Sequence, residues 1–598
     1  MATEEVNKPT HVEEVKLASN QLRGTLQESL ATAAPTFTDD EKHLIKFHGM
    51  YQQDDRDERI TRQKAKEEPA WMLMVRSKIP GGGLTGEQYL ALDKLVDSLG
   101  NGTLRITTRQ DIQFHGVLKS NVKELIRKIN EAQVTTFGGC GDVERNVMAS
   151  PLPFDSSALI EAQRQAKELS NALLPQTKAY MELWLNGEKV KLDSNAEPVD
   201  PLYGPTYLPR KFKTAIAVQP YNDVDIYAHD LGLIAHAPNG EIEGYTLIAG
   251  GGFGMDHGKV ATYPFLSIPL FYVKKEHVIE AAKAIITVHR DYGDRTNRKH
   301  ARIKYIIVER GAEWFREECK KRLGVPVSDP KPFKFDSVAD WIGWHEQGDA
   351  EKRLFCTVKV ECGRIKDYDQ SAEHGNLKDV RYRTGIRAIV ERFKCPVRLT
   401  PNQNILFYNL SGADRPAFDA ILREHNIAAG ESFTQAHQMS IACVALPTCG
   451  LALSESERVF PALMDQFDPI LKELNLEKEH ILFRMTGCPN GCARPYNADF
   501  AFVGRGIGKY AVYIGGSHRG DRMAGLVFKT LNIEDIPAKI KPYLLEFAQN
   551  RKAKETFTDY WGRTHEQGPA PHPSQFHEEL AAREEKLKKE GKRSQPQG

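Results

Sequence analysis

Four of the nine cysteines occur in two pairs whose spacing suits a metal centre. Cys443 and Cys449 stand as Cys-x5-Cys in Ala-Cys-Val-Ala-Leu-Pro-Thr-Cys-Gly, and Cys488 and Cys492 as Cys-x3-Cys in Thr-Gly-Cys-Pro-Asn-Gly-Cys-Ala-Arg-Pro. Thiolates are soft ligands that suit zinc or iron–sulfur clusters. Structural zinc sites use gaps of two to four residues, which the first pair fits poorly. An iron–sulfur cubane is larger than one ion, tolerates wider gaps and needs four thiolates. Pro489-Asn490-Gly491 makes a tight turn inside the second pair, and glycine lets backbone N–H groups approach sulfur closely. On spacing alone, zinc and four unrelated core thiols remain alternatives. Cys140, Cys319, Cys356, Cys362 and Cys395 show no pattern and read as small buried hydrophobes.

Two segments carry cations in strand-like alternation. In Tyr207-Leu-Pro-Arg-Lys-Phe-Lys-Thr, a strand over 210–218 puts Lys211 and Lys213 on one face and Phe212 on the other. Adjacent ammonium groups repel unless an anion neutralises them, although a solvated strand edge also carries lysines. The stretch Leu104–Phe114 alternates likewise. Read as one strand, it presents Arg105, Thr107, Arg109, Asp111, Gln113 and His115 on one face and Leu104, Ile106, Ile112 and Phe114 on the other. This is either an amphipathic surface strand or the wall of a cleft holding a carboxylate-rich partner.

The elements that must position these residues exceed one core, since 598 residues imply two to four domains. Net charge is +1, with 27% charged and 40% hydrophobic residues, so bulk electrostatics do not suggest a nucleic-acid partner. No apolar run reaches the ~20 residues that cross a bilayer. The acidic start has no apolar core of a signal peptide, which predicts a cytoplasmic protein without disulfides. Gly81-Gly-Gly83 and Gly250-Gly-Gly-Phe-Gly254 are not dinucleotide fingerprints, so any pyridine nucleotide binds another polypeptide.

The chain also repeats itself. Arg105-Ile-Thr-Thr-Arg-Gln-Asp-Ile-Gln-Phe114 pairs with Arg398-Leu-Thr-Pro-Asn-Gln-Asn-Ile-Leu-Phe407, and the first copy follows the helical segment TGEQYLALDKLVDSLG. A looser repeat relates LPRKFKTAIAV to LIAGGGFG with ILFRMTGCPNGCARP to VYIGGSHRG. Each unit reads as strands under helices, and two copies of two modules predict a pseudo-two-fold molecule with a shared cleft.

The segments FHGMYQQDDRD, RITTRQDIQFHG, YLPRKFK, LTPNQN, the Cys-x5-Cys pair and TGCPNGCARP together resemble the siroheme sulfite/nitrite reductase family, on its assimilatory sulfite reductase hemoprotein branch. The likeness runs from about Gln21 to Arg563. It implies an α+β fold with a pseudo-two-fold arrangement of duplicated ferredoxin-like half-domains and duplicated siroheme/Fe–S-binding α+β domains. The implied division is an N-terminal arm (1–70), a first half-domain (71–140), a siroheme- and substrate-binding domain (141–344), a second half-domain (345–430), a cluster- and siroheme-binding domain (431–565) and a charged, mobile tail (566–598).

The resemblance further implies a 4Fe–4S cluster on Cys443, Cys449, Cys488 and Cys492, with Cys492 also the axial ligand of the siroheme iron. It implies sulfite-binding cations at Arg76, Arg145, Lys211 and Lys213, and a siroheme pocket lined by Arg105, Arg109, Gln113, His115, Asn402 and Gln403. Siroheme carries eight carboxylates, so a cationic lining offsets a charge costly to bury. Glu144 stands where relatives usually carry Asn, and Gly450 where they often carry Pro. The implied activity is six-electron reduction of sulfite to sulfide in cysteine biosynthesis. The FHGMYQQDDRD arm favours a flavoprotein (FAD/FMN, NADPH-oxidising) as donor. GGCGDVERN and GCARPYNADFAFVG resemble the ferredoxin-dependent branch as well, and the paired lysines weigh against a nitrite reductase. A non-catalytic iron–sulfur or zinc scaffold would hold no tetrapyrrole and need no cation cluster.

Overall fold

The computed structural model describes residues 8–176, 184–185, 188–189, 199–336, 338–370, 377–565 and 572–591. Twenty strands form four five-stranded sheets related in pairs, beside a two-stranded ribbon. The first sheet runs in space Met50–Asp54, Trp71–Arg76, Ile112–Val117, Leu104–Ile106, Arg364–Ile365. The second runs Gly343–Glu346, Leu354–Val358, Ile405–Leu410, Val397–Leu399, Gly83–Leu84. Both are antiparallel throughout. Each takes its last strand from the other half of the chain, and one continuous hydrophobic core serves both. Neither half can therefore bury its face alone.

Helix Gly86–Leu99 illustrates how the sequence builds these halves. Thr85 caps it, accepting from Gln88 N while the Gln88 side chain returns to Thr85 N. Its buried stripe Tyr89, Leu92, Val96, Leu99 follows the helical period and enters the shared core.

The other two sheets also match strand for strand. One runs Met148–Ala149, Thr214–Val218, Leu231–His236, Gly244–Ala249, Ile268–Lys274, and its counterpart Ile441–Ala442, Phe483–Thr486, Phe500–Gly506, Lys509–Ile514, Gly525–Asn532. In each, the first three strands are parallel and the last two antiparallel.

Two expectations change. Leu104–Phe114 is not one strand but a hairpin, with Leu104 opposite Phe114, Arg105 opposite Gln113 and Ile106 opposite Ile112. Gln110, at φ +58°, turns the chain, and its counterpart Gln403 does so at φ +71°. The apolar residues still share one side, because partners across a hairpin face the same way. The tail, expected to be mobile, docks over 572–591. Phe576 stacks on Tyr513 at 5.4 Å, and Leu580 enters the core below the last sheet. Two apolar side chains outweigh the polar composition that suggested a free end. Residues 566–571 and 592–598 of that tail lie outside the described residues.

The halves meet at a buried ion cluster. Asp225 and Arg494, at corresponding positions of the two larger units, are both left-handed, with φ of 54° and 52°. Asp225 Oδ2 accepts from Arg494 Nε and Arg484 Nη1, both at 2.8 Å, and its Oδ1 accepts from Asn497 at 2.8 Å. Arg494 also donates to the carbonyls of Thr108 (3.1 Å) and Pro401 (3.2 Å), one from each hairpin loop. Removing one member of such a cluster strands the others without solvent. Asp225→Ala leaves Arg484 and Arg494 buried and unpaired, and is expected to cost about 3–5 kcal/mol, measured by denaturant unfolding.

Candidate functional site

The four cysteines converge on one corner of the fold. Cys443 follows strand Ile441–Ala442, and its N–H donates to Met485 O at 3.0 Å. Cys488 and Cys492 flank the turn after strand Phe483–Thr486. Gly491, at φ +65°, lets that turn close against Phe253, whose Cβ would lie 2.9 Å from any added Cβ. The N–H of Gly487 points at Cys443 Sγ (3.4 Å) and the Asn490 amide at Cys488 Sγ (3.4 Å), as sulfur-tuning donors should. Cys449 lies on a loop gripped by the N-terminal arm, where Arg56 donates to the carbonyls of Cys449 (3.0 Å) and Ala452 (2.7 Å).

This geometry tests which centre fits. A tetrahedral zinc with Zn–S of about 2.3 Å holds its sulfurs about 3.8 Å apart. Among the described residues, the one group of three metal-ligating side chains with ligand atoms within 4.8 Å of one another is His437, Asp465 and Asp468, so the cysteines are spread wider than one ion requires. Burial and the neighbouring sulfurs push the thiols up, Cys488 to about 12 and Cys443 well above its ordinary value. Four thiolates there need cationic metal among them. The donor set, four thiols gathered at one corner, fits a 4Fe–4S cluster.

Cys492, the one exposed cysteine, opens into a cavity. Lys211, Lys213, Arg109, Arg302 and His229 line the same space. Lys211 and Lys213 do point to one face, with Phe212 buried behind, although the strand begins only at Thr214. Neither lysine makes an ion pair among the described residues. Burial, then Arg210, Arg302 and Arg145, lowers Lys211 to about 7. Burial, then Lys211, Arg109 and Arg302, holds Lys213 well below the ordinary range. A cluster of cations that depress one another is a site awaiting an anion.

The remaining candidates divide into those with free polar atoms and those already engaged. Arg76 Nε, Arg109 Nε and both ring nitrogens of His115 are buried without a hydrogen-bond partner. Such orphans suit an anionic ligand with many oxygens, as siroheme is. Burial and then Arg364, Arg105 and Arg76 keep His115 neutral. Arg145 donates twice to Gly141 O, at 3.0 and 2.9 Å, and stays close enough to Lys211 to lower it.

Arg105, Gln113, Asn402 and Gln403 are engaged by the protein around the site. Arg105 donates to Ala442 O (2.9 Å), Glu457 (2.8 Å) and Gln113 (3.3 Å). Gln403 bridges Cys362 O and Ala442 N, both at 3.1 Å, beside Cys443. Asn402 accepts from Arg494 at 2.9 Å and donates to Asp340 at 3.0 Å. Gln110 repeats the clamp of Gln403 in the other half, donating to Ala149 O (2.9 Å) and accepting from Ala149 N (3.1 Å).

Several site residues escaped the sequence reading. His229 donates from Nε2 to Val224 O (2.9 Å), leaving Nδ1 to receive Arg109 Nη1 (3.1 Å). Arg302 is fixed by Asp230 at 2.6 Å, and Thr108 Oγ1 tethers Cys492 O at 2.9 Å. Arg494 lay inside TGCPNGCARP and was legible there, whereas no spacing marks His229 or Arg302.

Known proteins resemble this chain in sequence and fold. The family described as "Nitrite/Sulfite reductase ferredoxin-like half domain" matches residues 65–132 and 345–425, and "Nitrite and sulphite reductase 4Fe-4S domain" matches 140–327. A Geobacillus kaustophilus protein named sulfite reductase (NADPH) hemoprotein beta-component is 44% identical over 557 residues, covering 92% of this chain and 95% of its own length. A Staphylococcus saprophyticus protein of the same name is 42% identical, covering 94% and 97%. The chain belongs to the nitrite and sulfite reductase family. The solved Mycobacterium tuberculosis NirA protein shares the fold, with TM-score 0.74 at 22% identity over 94% of this chain and 97% of that one. The family's 4Fe–4S domain match falls on the copy without the four cysteines, as a duplicated sheet allows. No helix among the described residues is long and apolar enough to cross a membrane.

Because Cys492 alone belongs to both the cysteine set and the cavity wall, Cys492→Ser is expected to remove the tetrapyrrole as well as disturb the cluster. Absorption spectra and iron analysis of the purified variant check this; a variant with both cofactors spectroscopically intact contradicts it.

Proposed function

We propose that this protein reduces sulfite to hydrogen sulfide with six electrons, as the siroheme and 4Fe–4S hemoprotein component of a cytoplasmic, NADPH-type assimilatory sulfite reductase. The observation that carries the reading is that Cys492, a member of the four-cysteine set, opens into the same cavity as Lys211 and Lys213. When bound, a siroheme coupled to the cluster supplies single electrons and an iron that takes the substrate. Everything else is the work of the chain.

Cys443, Cys449, Cys488 and Cys492 hold the cluster. Arg109, with Nε free, and His115, with both ring nitrogens unpartnered, would be available to the macrocycle's carboxylates. Arg105, Gln113, Asn402 and Gln403 serve by fixing strand Ile441–Ala442 and Arg494. Lys211 and Lys213 bind the sulfite dianion, and Arg76 and Arg145 add to the positive field. An entering anion raises both lysines by favouring their charged forms. As charge leaves the substrate they relax towards their low values and release protons to departing oxygens. Burial and mutual repulsion thus make Lys211 an acid near neutral pH and weaken the hold of Lys213 on its proton, where an exposed lysine would keep it.

No dinucleotide fingerprint occurs in the chain, and the name of the relatives specifies NADPH. Both point to a separate NADPH-oxidising flavoprotein as the donor. The loop of Cys449, with Leu451 and Leu453 exposed at its end, brings the cluster near the surface for it.

The purified protein is expected to be coloured, with the Soret and red bands of an isobacteriochlorin, and to release sulfide when reconstituted with a flavoprotein reductase and NADPH. A colourless, zinc-containing preparation refutes the catalytic reading, and activity with ferredoxin but not the flavoprotein refutes the donor. Lys213→Ala is expected to lower sulfite turnover by about 10²-fold with both cofactors retained. Unchanged turnover removes Lys213 from the mechanism.

A further inference from the structure

Glu144 stands beside Arg145 in sequence but does not pair with it. Its side chain turns to the start of strand Thr214–Val218. Glu144 Oε2 accepts from Thr214 Oγ1 at 2.9 Å, and its Oε1 is buried with no partner. Lys78 Nζ and Asn146 Oδ1 are likewise buried without a partner. Asp111 sits close by, taking a single 3.4 Å hydrogen bond from Ile79 N. Four polar side chains, three of them titratable, thus gather behind Arg109, and Arg109 itself lines the cavity.

We propose that Glu144, Lys78 and Asp111 form a buried proton store that recharges the lysines of the cavity during turnover. This rests on the sulfite-reducing reading above. Each oxygen that leaves sulfite departs as water and takes two protons, and the first donors, Lys211 and Lys213, are left as neutral amines. In each recharge one proton leaves the Glu144 or Asp111 carboxyl and ends on a cavity amine, giving a carboxylate and an ammonium. No electrons move. The new carboxylate stays beside Arg109 and Lys78, which keep its charge tolerable, and solvent returns the proton between turnovers.

The surroundings put the store in the right range. Glu144 faces Arg109, Lys78, Asp230 and the Tyr203 hydroxyl as well as Thr214. Burial raises it further than Arg109 and Lys78 lower it. Burial lowers Lys78 against the pull of Glu144 and Asp111, with Arg109 adding to the fall. Burial raises Asp111 to about 7 against Arg76, Arg109 and Lys78. The store is therefore charged with protons at neutral pH and empties as pH rises.

The test is Glu144→Gln, which keeps the shape and the Thr214 contact but cannot give up the proton. In the holoprotein with its flavoprotein donor, kcat for sulfite is expected to fall about tenfold at neutral pH, on the scale of other outer-shell partners. KM and the visible spectrum should be unchanged, the solvent isotope effect larger and the alkaline fall of kcat flattened. Wild-type kcat, pH profile and isotope effect in the variant overturn the store. No sulfite turnover in the wild type overturns the underlying reading instead. Infrared difference spectra across the neutral-to-alkaline range supply a readout independent of turnover. The wild type should show a protonated-carboxyl C=O band that titrates and is lost in Glu144→Gln; a wild type without that band also overturns the proposal. Lys78→Met serves if Glu144→Gln does not fold, and should lower kcat in the same way; wild-type kinetics there count against the store.

Discussion

The contact of Asp225 with Arg484 and Arg494 is the joint on which the rest depends. It is fully buried, so its charges are tolerable only because each is met by an opposite charge or a carbonyl. Arg494 reaches the carbonyls of both hairpin loops while holding Asp225 of the other large unit. Cys492 lies two residues before it, and Thr108, whose carbonyl Arg494 takes, tethers Cys492 O through its hydroxyl. The assembly of four sheets and the placement of the one cysteine that faces the cavity are therefore set by the same few hydrogen bonds.

Duplication supplied the frame, and divergence supplied the chemistry. Both halves use a left-handed glutamine to clamp the first strand of a large unit, Gln110 on Ala149 and Gln403 on Ala442. After the first clamped strand comes Ser150, hydrogen-bonded to Asp223 at 2.5 Å; after the second comes Cys443. The same backbone thus presents a closed polar contact on one side and a metal ligand on the other. The pairing of Asp225 with Arg494 at equivalent positions is itself such a divergence, since two identical charges there would repel.

The cavity is an electrostatic device before it is a catalytic one. Lys211, Lys213 and Arg109 crowd it with no ion pair among the described residues, and burial magnifies their repulsion. The energy stored in that repulsion is released when a polyanionic cofactor and a dianionic substrate enter. Asp230 and His229 hold Arg302 and Arg109 in place, the first through an ion pair and the second through a ring nitrogen.

How much of this was legible in the chain differs by kind. The four cysteines, the alternation of Lys211 and Lys213 and the internal repeats could be read directly, because each depends on local spacing or on self-similarity. The halves' exchange of edge strands could not, since Gly83–Leu84 and Arg364–Ile365 are two residues each and gain identity only from their partners. Nor could the roles of Arg105, Asn402 and Gln403. Their types suit a ligand pocket, but whether a polar side chain faces a ligand or a backbone depends on what the fold brings against it. Glu144 shows the same limit, as its neighbour in sequence is Arg145 while its neighbours in space are Lys78, Arg109 and Thr214. The sequence by itself determined which chemistry the chain carries, because ligand type and spacing are covalent facts. Only the tertiary structure decided which of those groups meet, because burial and charge act across space and not along the chain.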